Sequence, residues 1–98
     1  MVRMWIWNQS MLLPLHAAIQ AIEDSRRADL RPALSKFDIP VAIFHGRHDE
    51  MDYFKAGEYM ASTIKGASLV PFENSGHACF LEEPARFNDE LRRFLRHR

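Results

Sequence analysis

Ninety-eight residues, 47% of them hydrophobic and 27% charged, are enough for one small globular domain and too few for two. Thirteen basic residues balance thirteen acidic ones, which argues against strong electrostatic dependence on nucleic acid or an anionic membrane. A single cysteine, Cys79, excludes an internal disulfide and points to a reducing, cytoplasmic compartment, and no run is long and apolar enough to span a bilayer.

The opening stretch, with Arg3 ahead of MWIW and MLLPLHAAIQA, faintly resembles a leader peptide. Asn8, Gln9, Ser10 and His16 interrupt it, so it reads as structure. Ser10 is the expected N-cap of an amphipathic helix that tolerates Pro14 in its first turn. Met11, Leu15, Ala18 and Ile22, with Leu12 and Ile19 beside them, mark the face it should bury, and the polar run from Glu23 to Arg27 should end it. Asp29 then caps a short turn, with Pro32 near its start and Leu30 and Leu34 facing inward.

Val41-Ala42-Ile43-Phe44 is a continuous apolar run that stops at His45-Gly46, the pattern of a strand covered on both faces. Phe54 to Ile64 follows with helical spacing, and Gly66 supplies a left-handed cap. Ser68 to Phe72 reads as a second strand, placed at an edge or ending early because Pro71 has no N–H to donate. Glu73 to Gly76 is a loop. Pro84 opens a last helix with Phe87, Leu91, Phe94 and Leu95 on its expected buried face. Its arginines, Arg92, Arg93, Arg96 and Arg98, offset the negative end of the helix dipole, a better reading than a nucleic-acid patch.

The result is an α/β class chain: one βαβ unit with flanking helices, its two strands parallel and the crossover right-handed. Ligands of open α/β sheets bind beyond the carboxyl ends of the strands. Two loops leave those ends here, one carrying His45-Gly46-Arg47-His48-Asp49 and the other Ser75-Gly76-His77. An acid on one loop and an imidazole on the next can meet, Asp49 accepting the Nδ1 proton of His77 and fixing its tautomer.

The stretches IPVAIFHGRHDEMD and SLVPFENSGHACFLEEP, with a helix between them and FNDELRRFL after, resemble the C-terminal part of an α/β-hydrolase. The likeness runs from Asp29 to Leu95. It implies that Asp49 is the acid and His77 the base of a Ser-His-Asp triad, that no cofactor or metal is needed, and that the parent reaction is hydrolysis of a small-molecule ester or amide by acyl transfer. It also implies two segments, a cap-like helical one at 1–28 and a core one at 29–98.

The departures are specific. The family's nucleophile lies in a Gly-x-Ser-x-Gly elbow upstream of the acid. Gly46, Gly57, Gly66 and Gly76 are the only glycines and none brackets a serine. A glycine-containing oxyanion loop is missing too, and Asp52-Tyr53 stands where an apolar residue and a proline are common. The expectation is therefore a fragment, subunit or truncated product that supplies acid and base and is inactive alone. The alternative is a non-enzymatic fragment that self-associates, as a homo-oligomer, or binds the missing part of its own fold through the uncovered edge at Val41 to Phe44.

Other groupings read less well. His45, His48, Asp49 and Asp52 cluster on one loop, but their spacing matches no familiar zinc or hard-cation set. His45 reads as a structural residue at the strand end. Ser75 and Cys79 are too close to His77 in sequence to serve as its nucleophile, and Cys79 reads as a small buried residue. Trp5, Trp7 and Met11 read as packing or as the wall of an acyl pocket.

Overall fold

Parallel strands cannot be joined by a tight turn, and the computed structural model shows how this chain meets that constraint. It describes residues 2–97; Arg98, the last of the basic run, lies outside them. The chain forms two compact units, Met1–Leu30 and Arg31–Arg98.

The first unit is two helices, α1 (Val2–Ser10) and α2 (Leu15–Arg27). A single helix starting at Ser10 was the expectation, and Pro14 is the reason it fails. Proline has no N–H and pushes the residue before it out of the helical region, so the first helix stops short and a second begins after it. Pro14 itself sits at the N-cap of α2 with ψ 143, its carbonyl accepting from the N–H groups of Ala17 and Ala18. Ser10 instead ends α1 and turns its hydroxyl back onto the Ile6 carbonyl at 2.8 Å. As expected, α2 ends at Arg27, the last residue of the polar run, with Gln20–Asp24 and Arg26–Glu23 pairs along its surface. The expected apolar face is not buried: Met11, Leu15 and Ile22 are exposed, and so are Trp5 and Trp7.

The second unit carries the sheet. A short helix, α3 (Arg31–Leu34), leads to β1 (Ala42–Gly46), α4 (Phe54–Thr63) and β2 (Ser68–Phe72). The strands pair in parallel, with Ala42 opposite Ser68 and Gly46 opposite Phe72. Gly66 takes φ +76 in the turn between α4 and β2, a conformation that other residues resist. Pro71 lies opposite His45 without ending the strand, which runs one residue further. After β2 come α5 (Cys79–Glu82), a single helical turn the sequence pattern did not announce, and α6 (Pro84–His97).

Helices lie on both faces of the strand pair. Ile43 and His45 are buried, the His45 ring standing edge-on to Phe54 of α4 at 5.5 Å. On the other face Phe44 and Phe72 meet Phe87 of α6, with centroids 5.3 and 6.1 Å away. Phe72 is the one large apolar side chain fully removed from solvent among the described residues. Two strands are too narrow to cover α6, so Leu91 and Leu95 of its expected buried face remain exposed; Leu30 is exposed as well, while Leu34 is half-covered. No helix among the described residues is long and apolar enough to cross a membrane.

Candidate active site

Both loops emerge at the same end of the pair, and backbone contacts fasten them to each other. Gly46 closes β1 directly against the second loop; a methyl group there would overlap the carbonyl oxygens of Gly76 and Ser75, so glycine is what lets the loops touch. Beyond the strands the hydrogen bonding continues, Arg47 N–H donating to Phe72 at 2.9 Å and His48 N–H to Ser75 at 3.0 Å. The positions of Asp49 and His77 are thus set relative to one another by main chain, before any side chain is considered.

Asp49 is buried, and its carboxylate is fully engaged. Its Oδ1 accepts from the backbone N–H groups of Met51 at 2.9 Å and Asp52 at 3.0 Å. Its Oδ2 lies 3.0 Å from His77 Nδ1. Burial alone would raise the pKa of this carboxyl group, but the Asp52 N–H, the His77 ring and the Met51 N–H together outweigh it and hold the group below its ordinary value. An ionised carboxylate only accepts, so Nδ1 of His77 is the donor, and in the neutral ring that leaves Nε2 with its lone pair. The imidazole is half exposed, 52% against 5% for Asp49. A second carboxylate, exposed Asp52, stands 3.7 Å from the same Nδ1.

The loop before His77 is gripped from the end of α5 and the residue that follows it. Glu83 Oε2 accepts from the Ser75 hydroxyl at 2.5 Å and the Asn74 N–H at 3.3 Å, and Glu82 Oε2 accepts from the Gly76 N–H at 2.5 Å. Three consecutive donors ahead of His77 are held by two adjacent carboxylates. Sequence reasoning missed these positioning contacts; two glutamates directly before Pro84 were the signal available. Ser75 is fully buried with its hydroxyl committed to Glu83, so it is not placed as a nucleophile. Cys79 is also buried, and loss of solvent pushes its thiol pKa up, away from the reactive thiolate.

Of the four residues grouped on the first loop, the structure joins Asp49 and Asp52 to His77 rather than to His48. One potential ligand atom from each of those three lies within 4.8 Å of the others. That is two carboxylates and an imidazole, the set that would face a cation there, although both oxygens of Asp49 already have protein partners. His45 sits behind the acid, its Nε2 2.6 Å from the Asp52 carbonyl oxygen.

Comparison with known proteins agrees with this architecture. No family model matches the chain. It is 33% identical over 93 residues to the AB hydrolase superfamily protein YisY of Bacillus subtilis, covering 95% of this chain and 35% of that protein. It is 36% identical over 76 residues to a pimeloyl-[acyl-carrier protein] methyl ester esterase of Neisseria meningitidis, covering 78% of this chain and 30% of that protein. Among solved structures, an esterase from Exiguobacterium antarcticum superposes with a TM-score of 0.92 at 34% identity, over 97% of this chain and 35% of its own. The chain belongs to the α/β-hydrolase family and has the βαβα architecture of the C-terminal part of that fold. Two of these three relatives are named esterases, and the chain spans about a third of the length of the curated relatives it matches.

Proposed function

We propose that this chain supplies the acid and base of a Ser-His-Asp triad for carboxylic-ester hydrolysis, and that it is inactive without polypeptide that brings the nucleophile. The observation that carries this reading is the 3.0 Å contact between a buried carboxylate and a half-exposed imidazole. In the reaction, His77 Nε2 takes the proton of a serine hydroxyl as its oxygen attacks the ester carbonyl. Asp49 stabilises the imidazolium that results. The proton then passes to the departing alkoxide, and water repeats the sequence on the acyl-enzyme to release the acid. The nucleophile and the donors for the developing oxyanion come from outside these 98 residues. Esters are favoured over amides because two of the three relatives named above are esterases. The compartment is taken to be cytoplasmic, in keeping with a single unpaired cysteine.

The test is a chimera in which this chain replaces the matching segment of the Exiguobacterium antarcticum esterase. The chimera is expected to hydrolyse a short-chain ester, and His77→Ala or Asp49→Ala is expected to abolish that turnover. Equal activity in the His77→Ala chimera would contradict the proposed roles.

A second reading is favoured by one further observation. The two-stranded sheet leaves an outer edge on each strand without a partner strand among the described residues, and many large apolar side chains are exposed. Such edges pair readily with another chain. On this reading the chain self-associates or binds the rest of its fold, and sedimentation as a sharp monomer at high concentration would count against it.

A further inference from the structure

We infer that His45, which has no place in the proposed triad, is the positioning residue for its acid. The inference rests on the proposed function above, in which Asp49 orients His77. His45 is the penultimate residue of β1 and is buried. A buried imidazole needs its N–H satisfied, and here the partner is unambiguous: Nε2 lies 2.6 Å from the carbonyl oxygen of Asp52, which can only accept. His45 is therefore the Nε2–H tautomer. Its ring has little freedom to leave that contact. Phe54 meets it edge-on, and Gly57 of α4 passes so close that a methyl group there would come within 2.8 Å of Nδ1.

The consequence reaches the acid through the backbone. Pinning the Asp52 carbonyl ties the 49–52 turn back to β1, seven residues earlier in the chain. That same turn aims the N–H groups of Met51 and Asp52 at Asp49 Oδ1. With Oδ1 held by two donors, the carboxylate has one rotational setting left, and in it Oδ2 faces His77 Nδ1. The His45 Nε2 also lies 3.5 Å from Oδ2, so its N–H dipole has a favourable second neighbour on the oxygen that His77 uses. A rigid, buried donor at this point makes the acid's orientation a property of the strand and not of a free loop.

The experiment is nitrogen-15 NMR of the imidazoles in the full 98-residue chain, as wild type, His45→Phe and His45→Gln. Phenylalanine keeps the ring and removes the donor; glutamine restores an N–H near the position of Nε2. In the wild type, His45 is expected as the Nε2–H tautomer and His77 with a protonated Nδ1 and a downfield Nδ1–H signal. His45→Phe should lose the His77 signal while the backbone spectrum stays dispersed, and His45→Gln should recover it. A folded His45→Phe chain that keeps the signal overturns the inference and leaves the triad reading standing, as does a wild-type His45 protonated on Nδ1 alone. If His45→Phe does not fold, His45→Gln decides, retention of the signal supporting the inference and its loss overturning it. Absence of Nδ1–H on His77 in the wild type would remove the triad reading, and this inference with it.

Discussion

At the carboxyl ends of β1 and β2 the loops are tied to each other by backbone and side-chain hydrogen bonds, whereas at the amino ends Pro40, Val41, Ala42 and Phe44 open onto a 420 Å³ concavity lined also by Arg93 and Phe94. Both ends belong to the same two strands and the same helix α6. One is closed by hydrogen bonds between two loops that the parallel strands bring side by side. The other waits for apolar cover that two strands and two helices do not provide. A buried carboxylate and a half-exposed imidazole can therefore be held together in a chain whose hydrophobic closure is incomplete.

Predictions that probe this contrast differ in size. Largest is the effect of Asp49→Asn in the chimera. The amide leaves an acceptor for Met51 and Asp52 but disfavours the required tautomer of His77, and ester turnover is expected to fall about 10⁴-fold, as loss of the triad carboxylate does elsewhere. An activity within a few-fold of wild type would show that the paired end is not the working end.

Next comes a pair of truncations read by urea denaturation. Phe72→Ala removes the fully buried ring at the carboxyl end and should cost about 4 kcal/mol. Phe94→Ala, beside the concavity, removes a half-covered ring and should cost only about 1 kcal/mol. Equal costs would mean the amino end is covered in solution, by another copy or another partner. Ser75→Ala is intermediate, near 2 kcal/mol, because it leaves Glu83 without the short hydrogen bond it accepts.

The smallest effect is on pH dependence. The Asp49 carboxyl has a lower pKa folded than its ordinary 3.8, so its contribution to stability is present above that value and is lost as pH falls through the folded pKa. The wild-type urea midpoint should drop more steeply than that of Asp49→Asn below about pH 4. Parallel curves would show that the carboxylate is not held as the geometry describes.

Much of the paired end was legible because its signals are local. The apolar run stopping at His45-Gly46 marks a strand end, and Gly46 is where the loop that carries Asp49 lies against the loop that carries His77. The crossover helix between them made the strands parallel before any coordinate was known. Less was legible where tertiary context decides. Pro14 satisfied the rule for a first helical turn, yet the helix begins only after it, at Leu15, since the rule does not say where that turn begins. The roles of Glu82 and Glu83 depend on how α5 folds back on the loop, which no periodicity reports. The burial of Leu91, Leu95 and Leu15 was expected from amphipathic spacing, but spacing names the face a helix would bury and not whether anything is there to bury it.

The central claim is an acid and a base held ready without a nucleophile. Its most direct test is hydrolysis of a short-chain activated ester by the purified chain, beside His77→Ala and a buffer blank. The account predicts that all three give the same rate. Turnover by the wild type that disappears in His77→Ala would contradict it, for the chain would then contain a nucleophile of its own.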